Sequence, residues 1–123
     1  MLTRTAIASS LAMAVLSCTH SPQAITPEVS FSSDILPILE ADCAINGSCH
    51  LGANNGNDQI SLDTAVAYTT IAAKHLVAGG DPAASVLYSQ VSNGIMPKSP
   101  YPVLDAAKIA LIYNWIKQGA KNN

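Results

Sequence analysis

Cys43-Ala44-Ile45-Asn46-Gly47-Ser48-Cys49-His50 gathers two thiols and an imidazole within eight residues, and no other stretch of the 123-residue chain offers comparable chemistry. A Cys-His pair preceded by a second Cys is the pattern of covalent c-type haem attachment, in which two thiols bond the porphyrin vinyl groups and the adjacent His ligates iron. The usual motif leaves two residues between the cysteines, and here there are five. The three extra residues must bulge outward if both sulfurs are to reach one porphyrin edge. Asn46-Gly47 is a candidate for that bulge, because both residue types tolerate positive φ. A disulfide between Cys43 and Cys49 is the competing reading, since a short loop permits it and an oxidising compartment favours it.

Upstream, Arg4 precedes an uncharged, largely apolar run from Thr5 to Ser17, followed by Cys18. The run is shorter than the roughly 20 apolar residues that span a bilayer and matches the core of an export signal. Residues 1–17 are therefore expected to be a signal peptide outside the fold. Val15-Leu16-Ser17-Cys18 resembles a bacterial lipobox, in which the Cys is lipidated and becomes the mature N-terminus; this would account for the odd third cysteine. Several fatty chains on one residue anchor stably, because each buried methylene contributes about 0.8 kcal/mol. Residues 18–30 carry Pro22 and Pro27 without apolar periodicity and read as a lipidated tether, leaving 31–123 as one small domain. The chain after Cys18 has five Lys, no Arg and eight Asp or Glu, a formal charge of 5 − 8 = −3, so nucleic acid is not an expected partner. Gly52-Ala53-Asn54-Asn55-Gly56-Asn57-Asp58 reads as a surface loop, and its single carboxylate is a poor basis for calcium.

Apolar periodicity predicts an all-α domain of three to four helices with long loops. Ser33 or Asp34 is a candidate cap for a first helix that holds Pro37 in its first turn, presents Ile35, Ile38 and Leu39 on one face, and runs into Cys43. Ser61 or Asp63 would cap a second helix through Val66, Thr70 and Ala73, ending before Gly79-Gly80. Asp81-Pro82 reads as N-cap and N1 of a third, with Ala84, Leu87, Tyr88 and Val91 as its stripe and Gly94 as its stop. A fourth starts at Asp105, carries Ile109, Ile112, Tyr113 and Ile116, and stops at Gly119 with Lys117 near its negative end. So few helices make a slight core, which a covalent cofactor would staple.

Between the last two helices, Asn93-Gly94-Ile95-Met96-Pro97-Lys98-Ser99-Pro100-Tyr101-Pro102 contains the one methionine that follows Cys18. A thioether on a proline-stiffened loop is a candidate iron ligand, and a Met/His axial pair raises a haem potential; a lone Met is otherwise core filler. Taken together, Phe31-Ser32-Ser33-Asp34-Ile35-Leu36-Pro37-Ile38, Gly80-Asp81-Pro82, Ser85-Val86-Leu87-Tyr88, Met96-Pro97 and Trp115-Ile116-Lys117-Gln118-Gly119-Ala120 resemble, in order, the segments of small bacterial class I-like cytochrome c domains. These are found in periplasmic lipoproteins and beside planctomycete-type cytochromes. The resemblance implies a cytochrome c-like fold around one haem c, with Cys43 and Cys49 as thioether residues, His50 as proximal ligand and Met96 as distal ligand. The cysteine spacing departs from the family pattern, which bears on whether both thioethers form.

His75 is the competing distal ligand, and His20 falls in the tether. Trp115, with Tyr113 nearby, is expected in the core against the first helix or the haem edge. The leading expectation is a membrane-tethered, periplasm-facing electron carrier, with the outer membrane favoured over the inner and redox proteins as partners. It would not be an enzyme, since nothing sets a nucleophile beside a base and an iron capped by Met has no open position. Two other classes remain open: a lipoprotein binding zinc or copper through Cys43, Cys49 and His50 with His75 or Met96, and a haem-free, disulfide-stapled interaction module.

Overall fold

A computed structural model describes residues 26–47, 49–52 and 59–123. The expected signal peptide, lipidated Cys18, His20 and the loop centre at 53–58 lie outside the described residues. The fold is all-α: among the described residues there are no strands, and extended pairing is limited to one isolated bridge between Ala78 and Asp81. No helix among them is long and apolar enough to cross a membrane.

The first helical segment begins earlier than Ser33 or Asp34. Ser30 is its cap: its hydroxyl accepts from the Ser33 N–H, and the Asp34 carboxylate returns to accept from the Ser30 N–H at 2.8 Å. This reciprocal arrangement satisfies donors that a helix start leaves open. A π-helical turn, Phe31–Ile35, results and continues directly into α1, Leu36–Asp42, with Pro37 in its first turn. The expected stripe of Ile35, Ile38 and Leu39 is buried, and the earlier start adds Phe31 to it.

α2, Ala67–Ala73, is shorter than its sequence signal. The side chains of Ser61 and Asp63 bond one another rather than capping, while the Asp63 carbonyl accepts from Val66 and Ala67 and turns the chain into the helix. α3 is Val86–Ser92, with Ser85 and not Asp81 at the cap position. Asp81 instead closes a turn by accepting from the Ala84 N–H. The buried Ser85 hydroxyl accepts from the Ala78 N–H at 2.9 Å and donates to the Asp81 carbonyl at 2.8 Å. Those bonds hold Ser85 extended, so helical geometry begins only after it.

α4, Ala106–Lys117, matches its sequence signals: Asp105 caps it through the Lys108 N–H, and Gly119, at φ 104°, ends it. Gly119 N–H to Ile116 and Ala120 N–H to Trp115 make the paired bonds of a Schellman stop. The buried face is Ile112, Trp115 and Ile116, while Tyr113 is exposed and pairs edge-on with Tyr88 at 5.4 Å. Trp115 packs at 5.4 Å on Phe31, which meets Tyr68 edge-on at 5.1 Å. Both polar tips are satisfied, Trp115 Nε1 by the Lys121 carbonyl and the Tyr68 hydroxyl by the Ala120 carbonyl. The tryptophan is thus core against the first helical segment, as one of its two expected positions had it.

The two ends of the domain are laced together. Gln118 bonds Pro27 and Val29, and Asn123 bonds Phe31 and Ser32. Lys108 near the start of α4 pairs with Asp42 at the end of α1, at 2.8 Å. The first helical segment and α4 therefore run in opposite directions, and the Cys43 loop departs from the end of α1, away from where residues 27–32 meet Gln118 and Asn123.

Candidate cofactor site

The cysteine loop opens at the end of α1, where the Leu39 carbonyl takes both the Cys43 and Ala44 N–H groups and stops the helix. The chain then bows outward and returns. Cys49 N–H donates to the Asn46 carbonyl at 2.9 Å, and His50 N–H donates to the Cys43 carbonyl at 3.0 Å. The long spacing is absorbed in this way, bringing the Cys49-His50 pair back beside Cys43. Asn46 and Gly47 do not adopt positive φ, contrary to the expectation for this bulge. No disulfide joins Cys43 to Cys49.

His50 is held on two sides. Its carbonyl accepts from the Leu62 N–H at 2.7 Å, and its ring Nδ1 lies 3.0 Å from the Ile60 carbonyl. A carbonyl only accepts, so Nδ1 is the donor in this contact, and Nε2 is the ring nitrogen left for a metal. Metal-binding imidazoles are commonly oriented by such a backbone acceptor. Asp63 braces the same region, its carboxylate accepting from the Ser61 hydroxyl at 2.8 Å and from the Gly52 N–H at 3.3 Å.

Met96 is delivered by the end of α3. Gly94, at φ 66°, makes the reversal that a side chain with Cβ resists, and the Gln90 carbonyl accepts from both Ile95 and Met96. The result is that Cys43, Cys49, His50 and Met96 all line one cavity of about 340 Å³. A second cavity of about 280 Å³ shares Cys43, His50 and Met96 with it and is walled by Ile60, Leu62, Leu76, Leu87 and Val91. The first of these lies within the size range of small-molecule and cofactor sites, and the second adjoins it through the shared residues. No protein-family model, curated protein or solved structure matches this chain.

Four donors on one cavity, an imidazole with an oriented Nε2 and an apolar second wall suit a flat, largely apolar macrocycle whose metal needs only two axial ligands from protein. Among the described residues, no group of three or more His, Cys, Asp and Glu side chains is arranged to hold a metal ion. His75 lines neither cavity. It sits at φ 52° just past α2, where its N–H bonds the Ala72 carbonyl and the Leu76 N–H bonds that of Ile71. It is the left-handed residue of a helix stop, a position His tolerates better than most side chains.

Desolvation pushes the Cys43 thiol up to about 12, with the Asp42 carboxylate and Cys49 adding to it and Lys108 opposing. Cys43 is thus a neutral thiol at physiological pH and a weak nucleophile. The hydrogen bond to Asp42 holds the Lys108 ammonium above its ordinary range. Sequence reasoning did not single out Asp42, Ile60 or Tyr101 at this site. The Ile60 contribution is a backbone carbonyl, which leaves no residue-type signal.

Proposed function

We propose that this protein is a c-type cytochrome that carries one covalent haem and passes single electrons, on a small cytochrome c-like domain. The observation that carries the reading is the convergence of Cys43, Cys49, His50 and Met96, from two distant parts of the chain, on one cavity. The Nδ1 contact of His50 with Ile60 supports it further. Haem bound there would supply an iron that exchanges one electron between two oxidation states. Cys43 and Cys49 would anchor it by thioethers, His50 would ligate through Nε2, and Met96 would ligate from the α3–α4 loop. The apolar residues of the second cavity would exclude water, and the Met/His pair would set a high potential. The role is that of a carrier and not of a catalyst with its own substrate.

With Cys18 lipidated, the domain would stand tethered to a membrane facing the periplasm, the outer membrane being favoured, and exchange electrons with redox proteins. Expression with a haem-maturation system followed by denaturation tests the first claim: a haem spectrum and mass should remain with the polypeptide, and colourless protein refutes it. Cys18→Ala should release soluble protein; a variant that stays with the membrane refutes the anchor.

A further inference from the structure

The residues added between the two cysteines do more than bow outward. Asn46 Nδ2 donates to the Tyr101 hydroxyl oxygen at 2.7 Å, across 55 positions of sequence. Tyr101 and Met96 both line the larger cavity, so the bond joins the loop carrying the two cysteines to the loop carrying the methionine. We infer that Asn46 and Tyr101 form a latch that holds the Met96 loop closed against the cysteine loop, making Asn46 and Tyr101 positioning residues for the methionine sulfur. This deepens the cytochrome reading and rests on it only for what the sulfur does.

The loop has little else to hold it. It is fixed at its start by the Gln90 carbonyl and at its end by buried Leu104, followed by the Asp105 cap. Between those points Lys98, Ser99, Pro100, Pro102 and Val103 are exposed, Val103 by 60%. Apolar burial within this span is confined to the half-buried Pro97 and Tyr101. The Tyr101 N–H bonds the Lys98 carbonyl, which stays inside the loop. Among the described residues, the hydrogen bond from residues 97–103 to a segment outside the loop is the one to Asn46.

The test uses the full exported chain and the variants Tyr101→Phe, which removes the acceptor, Asn46→Ala, which removes the donor, and the double variant. Hydrogen exchange at the Met96 and Tyr101 amides and trypsin cleavage after exposed Lys98 read loop opening without reference to haem. One hydrogen bond sets the expected change at roughly fivefold faster opening. The double variant should open no faster than either single one, the sign of a shared interaction, and α4 amides should be unchanged. In haem-loaded protein both single variants should weaken the sulfur-to-iron charge-transfer band. Unchanged exchange and cleavage in the single variants, or effects that add in the double one, overturn the latch. Wild-type protein without haem whose loop still opens faster in the variants refutes the cytochrome reading and leaves the latch standing.

Discussion

Asp63 braces the His50 region through two bonds that a single change removes. Its carboxylate accepts from the Ser61 hydroxyl at 2.8 Å and the Gly52 N–H at 3.3 Å, and so closes the chain around the segment that supplies the Ile60 and Leu62 contacts. Replacing it with Ala removes both. A hydrogen bond to a charged group contributes about 1.5–3 kcal/mol, and the longer Gly52 bond belongs at or below the bottom of that range. Asp63 itself is half-buried, so water offsets part of the loss, but Ser61 is only 3% exposed and its hydroxyl would be left without a partner. The net cost should be about 2–3 kcal/mol. For a domain of this size that is a fall in Tm of roughly 10–20 °C. Denaturant unfolding should show a lower midpoint at unchanged slope, and the Gly52 amide should exchange faster than α4 amides do. Asp63→Asn, which keeps one acceptor oxygen, should recover much of the loss. If Asp63→Ala unfolds within about 0.5 kcal/mol of wild type, the carboxylate does not brace this loop and the reasoning fails.

The two cysteines should behave unequally in haem-loaded protein. Cys43→Ser should keep some haem through the Cys49 thioether with a perturbed spectrum, while Cys49→Ser, next to His50, should lose nearly all; equal loss, measured as haem per chain, contradicts this. Met96→Ala should lose the sulfur-to-iron band and lower the potential, and an unchanged spectrum excludes Met96 as ligand. Ile116→Ala, at a site with 0% exposure, should cost about 2–5 kcal/mol in denaturant unfolding, and a loss under 1 kcal/mol would mean that the core there collapses around the gap. In chain made without haem, the folded state disfavours the Cys43 thiolate, so its thiol should alkylate far more slowly than one with a value near 9.0. Stability should correspondingly fall as pH rises from about 9 toward about 12, because the unfolded chain gives up that proton first; Cys43→Ser should flatten this stretch of the profile.

Local chemistry sufficed for the all-helical class, for α4 from Asp105 to Gly119, and for the buried stripe of Ile35, Ile38 and Leu39, because a cap, a stop and a 3.6-residue period are written within neighbouring residues. It also singled out Cys43, Cys49, His50 and Met96 as residues worth joining. It misplaced the starts of the first three helices: Ser30 takes the first cap by exchanging bonds with Ser33 and Asp34, the Asp63 carbonyl and not its side chain turns the chain into α2, and Ser85 is held extended by Ala78 and Asp81. His75 illustrates the same limit: a metal-binding side chain in the sequence, it terminates α2 with left-handed backbone and faces neither cavity. Only the tertiary structure decided how the long cysteine spacing closes, which ring nitrogen of His50 is committed to Ile60, and that Asn46 meets Tyr101. Each of these depends on a backbone carbonyl or a partner far along the chain, and residue type carries no record of either.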